Sequence, residues 1–230
     1  MAEMTSIRIE DGVAWIAIDD GKVNAMSAEM LQSIGSRLDE AAAAQAVSIL
    51  IGRPGMFSAG FDLRVFQRGI EAMQQMVFGG LALVEKMLSH PFPIVSACTG
   101  HAYPMGAFLM LASDVRIGVS GDWKIGMNET LIGLTVPHWA IALAKHRLTS
   151  SGFASIPSGR MFSPADSVAA GYLDHVVPAD AIAQRALEAA QQLKALNMFA
   201  YANTKARVNA DVLRAFASMS RESDEIVGPK

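Results

Sequence analysis

Apolar and polar positions along the chain fall into short strand-like runs that alternate with helical repeats. Residues 6–10 and 13–19 read as two strands joined by an Asp11-Gly12 turn. Ser27 then offers an N-cap, Glu29 places a negative charge in the first turn, and Met30, Leu31, Ile34 and Leu38 share one helical face. An apolar strand-type run covers 47–52, and a helix is predicted over 70–88. A strand over 93–98, a glycine-containing turn, a helix over 105–112 and a strand over 114–119 follow, and residues 123–125 add a short strand. This alternation predicts an α/β architecture up to about residue 125.

From about residue 137 the pattern becomes helical. Ser163-Pro164-Ala165-Asp166 combines a cap, a proline at the first helical position and an acid in the first turn, and Gly171 suits the end of that helix. Residues 179–196 and 210–219 carry further helical periodicity. No internal repeat and no low-complexity linker interrupts the chain.

Composition narrows the class. The chain has 230 residues, 51% hydrophobic and 18% charged, with a mean hydropathy of +0.28. That is apolar for a soluble chain, yet no stretch of 18 residues is free of polar breaks, so no membrane span is expected. The surplus apolar surface points to an oligomer interface. A net charge of −3 with no Lys/Arg cluster argues against a nucleic-acid partner. The single cysteine, Cys98, lies in an apolar run and reads as a buried, inert thiol in a reducing compartment. The first residues lack a basic segment followed by an apolar one, and a cytoplasmic location is expected.

Three segments carry candidate chemistry. Met56-Phe57-Ser58-Ala59-Gly60-Phe61-Asp62-Leu63 follows a strand and contains small residues that let backbone approach a ligand. Thr99-Gly100-His101-Ala102-Tyr103-Pro104-Met105-Gly106-Ala107 follows another strand and opens a helix, where N–H groups lack intrahelical partners. Two N–H donors converging from two such loops make an oxyanion hole, although glycine-containing strand–turn–helix junctions are also common as plain structure. In the third segment, residues 125–137, Glu129 is the only ionisable side chain. Such a carboxyl is solvated at an edge, paired, or held with a raised pKa for proton transfer. His138 is a further candidate acid or substrate contact, and equally a surface residue at a helix start. Asn128 either orients Glu129 or caps backbone. His90, His101, His146 and His175 show no metal-ligand spacing.

Together these segments resemble the crotonase (enoyl-CoA hydratase/isomerase) superfamily, from about residue 7 to 177. Asp11-Gly12-Val13-Ala14 with Ile16-Ala17-Ile18 is similar to its opening hairpin. Asn24-Ala25-Met26-Ser27 resembles its Asn-Ala-Leu/Met-Ser element. Phe57-Ser58-Ala59-Gly60-Phe61-Asp62-Leu63 resembles its first oxyanion motif. Gly100-His101-Ala102 with Gly106 and Leu111-Ala112-Ser113-Asp114 resembles the second. Residues 163–177 resemble its segment A…A…G-L-V-D-x-V-V.

The resemblance implies a right-handed spiral of ββα turns over residues 1–177 and a helical trimerisation region over 178–230. The assembly it implies is a homotrimer or a dimer of trimers. It also implies an acyl-CoA substrate, with CoA present as part of the thioester and no prosthetic group or metal. Carried over position by position, the oxyanion N–H groups are those of Phe61 and Met105. CoA contacts fall near Lys22, Ala25, Ala59, Asp62 and Leu63, and Glu129 is the acid/base. The sequence departs from the family at three points. Its glycine triplet reads Pro104-Met105-Gly106, its earlier glutamate is Phe108, and the position eight residues after Glu129 is Pro137. One remaining carboxylate favours a proton shuttle that converts a 3-enoyl-CoA to a 2-enoyl-CoA. Hydration of a 2-enoyl-CoA and non-catalytic CoA binding are the alternatives, and the acidic balance disfavours RNA binding.

Overall fold

The computed structural model describes residues 4–219, so the last residues of the expected 178–230 helical region lie outside the described residues. The chain opens with a hairpin of β1 (Thr5–Glu10) and β2 (Val13–Ile18), whose two turn residues, Asp11 and Gly12, both have positive φ. Ser27 Oγ then accepts from Met30 N–H and starts α1 (Ala28–Ala43), whose predicted apolar face is buried.

One unit then repeats. A strand of a first sheet leads to a strand of a second sheet, and a helix returns the chain. β3 (Val47–Ile51) leads to β4 (Gly55–Ser58), α2 (Leu63–Phe66) and α3 (Ile70–Ser89). β5 (Ile94–Cys98) leads to β6 (Gly100–Ala102) and α4 (Pro104–Ala112). β7 (Val115–Val119) leads to β8 (Ile125–Gly126), a 3-10 turn (Glu129–Ile132) and α5 (His138–Arg147). The described chain ends with α6 (Ser150–Ala154), β9 (Met161–Phe162), α7 (Pro164–Ala170), β10 (His175–Val177), α8 (Ile182–Lys194), α9 (Met198–Val208) and α10 (Ala210–Met219).

The first sheet has the order β1-β2-β3-β5-β7-β10 and the second β4-β6-β8-β9. β3, β5 and β7 pair in parallel, as do β4, β6 and β8, so successive units stack as turns of a spiral. The central strands of the first sheet, β3, β5 and β7, are covered on both faces, which is why they read as largely apolar runs. Val47, Ile49, Val95, Ala97, Ile117 and Val119 face Ile182, Ala186, Ala189 and Ala190 of α8. Leu50, Ile94 and Cys98 face the main core with α1, α3, α4 and α5. The segment beyond residue 177 thus begins with a helix that covers the sheet itself.

Helical periodicity misses α9, and the reason is physical. The residue α9 buries is Lys205, while Phe199 is 81% exposed. Lys205 Nζ reaches Asp114 Oδ2 at 2.8 Å, and that oxygen also accepts from Ile94 N–H at 2.8 Å. Asn209 Nδ2 donates to Leu88 O at 2.8 Å, and His146 Nε2–H to Asn209 Oδ1 at 2.9 Å. A polar clamp therefore holds this helix to the spiral. Among the described residues no helix is long and apolar enough to cross a membrane. Among the same described residues no group of three or more His, Cys, Asp or Glu side chains is placed to hold a metal.

Removing one partner of a buried ion pair leaves the other charge uncompensated. Asp114→Ala is therefore expected to lower stability by about 2–4 kcal/mol, and Asp114→Ala with Lys205→Met to recover part of it. Urea unfolding followed by circular dichroism measures both.

Candidate active site

The two segments read from sequence as turns each contain a short strand, β4 and β6, and this positions the site. The second sheet sets Ser58 opposite Ala102 and Ala102 opposite Ile125. The three strands are parallel, so their chains leave the sheet at one end. Phe61 lies three residues beyond Ser58, Met105 three beyond Ala102, and Glu129 four beyond Ile125. The three candidates, 68 residues apart along the chain, are thus delivered to one edge.

The first loop is fixed by a buried asparagine. Asn24 is fully buried with φ +52°; its Nδ2 donates to Ile18 O at 2.8 Å and Phe57 O at 3.2 Å, and its Oδ1 accepts from Asp20 N–H at 3.0 Å. Ser58 Oγ donates to Asn24 O at 2.8 Å and accepts from Gly60 N–H at 3.0 Å. Met26 then forms an isolated parallel bridge with Phe61. Met26 N–H donates to Gly60 O at 2.8 Å, and Asp62 N–H donates to Met26 O at 3.2 Å. A parallel bridge uses the groups flanking its central residue, so Phe61 N–H points to the other side.

The second loop meets the first directly. Tyr103 N–H donates to Ser58 O at 2.9 Å. Gly60 has φ +87°, and a Cβ there would lie 3.4 Å from Pro104 Cδ, so residues 60 and 104 touch and Phe61 and Met105 follow them. Pro104 occupies the first turn of α4, where its missing N–H costs nothing. Met105 is not among the residues with positive φ, so methionine sits in the place of the family's glycine without backbone strain. Both side chains converge on α3, because a Cβ on Gly80 would be 2.7 Å from Phe61 Cζ and 3.1 Å from Met105 Sδ. Among the described residues neither Phe61 N–H nor Met105 N–H donates to a backbone acceptor. Two such donors, one at a helix N-terminus, suit a developing negative charge.

Lys22, Ala25, Ala59, Asp62 and Leu63 all line one cavity of about 260 Å³, together with Phe61. Asp20 Oδ1 holds the Lys22 and Asn24 N–H groups at 2.7 and 2.9 Å. Asp62 Oδ1 accepts from Arg64 N–H at 3.0 Å, and its carboxyl pairs with the Arg64 guanidinium at 2.8 Å through both oxygens, which holds its pKa below the usual carboxylate range. A larger groove of about 470 Å³ runs between α1 and α3 past Gln32, Asp39 and Lys86, and none of the expected site residues lines it.

Glu129 opens the 3-10 turn after β8, and its carbonyl accepts from Leu134 N–H at 2.9 Å. The residue is 6% exposed, and neither carboxyl oxygen has a hydrogen-bond partner among the described residues. Burial pushes its pKa up to about 7, against the weaker pull of its own N–H. Of the three readings open for this carboxyl, the solvated edge and the paired group do not match this burial. Phe108 is fully buried, its ring 5.0 Å from that of Trp139, and Pro137 is buried at the N-cap of α5. No carboxylate stands at either position. His138 is exposed at the first position of α5, and Asn128 accepts from Leu131 N–H through its backbone carbonyl. Cys98 is buried with its thiol pushed up to about 12, as an inert core thiol is. The pinning role of Asn24 is what sequence reasoning missed, and its place beside Ala25 in a quoted motif is the signal that was available.

Two outcomes follow from this geometry. Asn24→Ala strands two buried carbonyls, Ile18 O and Phe57 O, and the half-buried Asp20 N–H, and leaves a non-glycine residue at positive φ; it is expected to cost about 2–4 kcal/mol by urea denaturation, with Asn24→Gly recovering the backbone part. For Glu129 the folded pKa of about 7 lies above its ordinary 4.5. The folded chain therefore holds the proton more tightly. That contribution is full below about pH 4.5 and is lost as pH rises through about 7. Glu129→Gln should gain on wild type across that window, by up to about 3 kcal/mol at pH 8, in unfolding curves measured at several pH values.

Comparison with known proteins agrees with this fold. The family model described as enoyl-CoA hydratase/isomerase matches residues 8–225. The crystal structure of an enoyl-CoA hydratase/isomerase family protein from Pseudomonas syringae superimposes with a TM-score of 0.96 at 40% identity, covering 98% of this chain and 99% of that one. A probable enoyl-CoA hydratase of Mycobacterium avium is 32% identical over 223 residues, 90% of this chain and 84% of the relative. The mitochondrial enoyl-CoA delta isomerase 1 of Rattus norvegicus is 27% identical over 186 residues, which are 77% of this chain and 63% of the rat protein. The alignment thus spans less than two thirds of the rat relative. With the spiral of stacked ββα units and the two loop segments in register, the chain belongs to the enoyl-CoA hydratase/isomerase family of enzymes.

Proposed function

We propose that the chain shifts the double bond of a 3-enoyl-CoA to the 2-position, with Glu129 as the sole acid/base. The Phe61 and Met105 N–H groups hold the thioester oxygen, and the Glu129 carboxylate takes a proton from C2. The electron pair moves toward the carbonyl and leaves an extended enolate, with its charge on the oxygen between the two donors. Glu129 then delivers the proton to C4: the C3–C4 π pair forms the new C–H bond, the C1–C2 pair of the enolate shifts to C2–C3, and the charge on oxygen returns to the carbonyl. No other group is needed, and proton and electrons balance over the cycle. CoA is part of the substrate, and the cavity lined by Lys22, Ala25, Ala59, Asp62 and Leu63 is the proposed seat of its contacts.

The observation that carries this reading is the lone buried carboxyl. A group whose pKa lies at about 7 is matched both to taking and to giving a proton near neutrality. Hydration is better served by two carboxylates that hold and activate a water, and here Phe108 stands at the position of the family's earlier glutamate. Hydratase activity remains the second reading, favoured by the relative named a probable enoyl-CoA hydratase. The assembly we assign is a homotrimer or a dimer of trimers, supported by the apolar side chains that α9 leaves outward, Phe199 and Val208. The compartment we assign is the cytoplasm, which suits a single buried, protonated thiol.

The test is turnover of a 3-enoyl-CoA beside that of crotonyl-CoA, each followed by the absorbance of the conjugated thioester. Isomerisation is expected to dominate, with kcat/KM rising with pH through about 7. Glu129→Gln is expected to lower it by about 10²–10⁴. Faster loss of crotonyl-CoA absorbance than gain from the 3-enoyl substrate would replace isomerase by hydratase. Acyl-CoA binding with neither reaction would make the chain a CoA-binding homologue.

A further inference from the structure

Helix α3 carries adjacent glycines, Gly79 and Gly80, in the middle of its 20 residues, where glycine weakens a helix. The two are not equivalent. A Cβ on half-buried Gly79 would lie 3.6 Å from Leu31 Cδ1 of α1, an ordinary contact. Gly80 is buried, and a Cβ there would lie 2.7 Å from Phe61 Cζ, 3.0 Å from Phe61 Cε1 and 3.1 Å from Met105 Sδ. The three nearest atoms thus belong to the two residues read as oxyanion donors, one from each loop. Carbon atoms pack at about 3.5–4.0 Å, so an alanine would push the Phe61 ring back by about 1 Å.

That push has no easy outlet. Met76, Val77, Leu81 and Val84 hold α3 in the main core. The two loops are pressed together behind the donors, because a Cβ on Gly106 would lie 2.8 Å from Ser58 Cβ, and Tyr103 N–H already donates to Ser58 O. Met105 is fully buried, and Phe61 is bridged through its neighbours to Met26. The aromatic ring is stiff, so pressure at its far edge reaches the backbone of residue 61.

We propose that Gly80 is a positioning residue for the oxyanion hole: its bare backbone sets how far the Phe61 ring and the Met105 thioether withdraw toward α3, and so the aim of the two N–H groups. This rests on the reading of Phe61 and Met105 as the donors. It holds for isomerisation and hydration alike, since both develop charge on the thioester oxygen. It also accounts for the departure at residue 105. A methionine in place of the family's glycine brings a side chain that needs room, and a glycine on the facing helix supplies it.

Gly80→Ala adds one methyl group and leaves every donor in place. Acetoacetyl-CoA is the probe, because its enolate absorbs apart from the keto form and an oxyanion hole favours the enolate. Gly80→Ala is expected to lower the enolate band per bound ligand by about threefold or more, and kcat for a 3-enoyl-CoA by about 10–10²-fold with KM within about twofold. Gly79→Ala is expected to change neither. In a Phe61→Leu background, which removes the ring and keeps the N–H, the same alanine is expected to cost less than in wild type. Should Gly80→Ala not fold, Gly80→Ala with Met105→Gly decides the question, with a weaker band expected than in Met105→Gly alone. An unchanged band and kcat overturn the proposal, as does an equal loss with and without the Phe61 ring. A KM that rises with acyl length while the band holds also overturns it, and makes Gly80 a wall of the acyl pocket. If wild type binds acetoacetyl-CoA with no enolate band, the donor reading itself fails. A wild-type band retained in Gly80→Ala overturns the role of Gly80 alone.

Discussion

Parallel pairing of three very short strands is the constraint on which this molecule depends. β4, β6 and β8 contribute four, three and two residues, and alone none would hold a register. They are held because each is the second half of a unit whose first half lies in the six-stranded sheet, itself closed on both faces by α8 and by the main core. The first sheet fixes where each unit begins, and the second sheet fixes where it ends. Three loops then leave one edge of the second sheet, and they carry Phe61, Met105 and Glu129.

The site is made more of backbone and burial than of reactive side chains. Asn24 and Ser58 spend their polar groups on pinning the first loop, and Gly60 and Gly80 supply the space in which Phe61 and Met105 lie side by side. Of Phe61, Met105 and Glu129 only Glu129 is ionisable, and its character comes from what surrounds it. The same carboxyl in water would be fully ionised at neutral pH and a weak base. Removed from water without a partner, it reaches a pKa at which it can take and return a proton. Phe108, Trp139 and Phe216 form a buried cluster of rings, so the position of the family's earlier glutamate is occupied here by an apolar core side chain.

The C-terminal helices show a different balance. α8 is apolar on its inner face and belongs to the core of the first sheet. α9 is held by a buried lysine and an asparagine instead, and turns apolar residues outward. Polar groups buried in this way fix geometry and register, since each has one satisfactory partner. Apolar groups left outside suit an assembly in which another surface covers them.

By itself the sequence determined what depends on neighbours within a few residues. The hairpin at Asp11-Gly12, the cap at Ser27, the buried face of α1, the helix start at Ser163 and the apolar strands of the first sheet are all local patterns, and all are present. The ordered motifs around Phe61, Met105 and Glu129 also sufficed to identify the family. Tertiary structure decided the rest. β4 and β6 read as turns because three or four residues carry no period, and they become strands only by pairing with each other. α9 escaped because helical periodicity assumes apolar residues inside, and Asp114, 91 residues away, reversed that order. The state of Glu129 was open among three readings because burial is a property of everything packed around a group, not of its own segment.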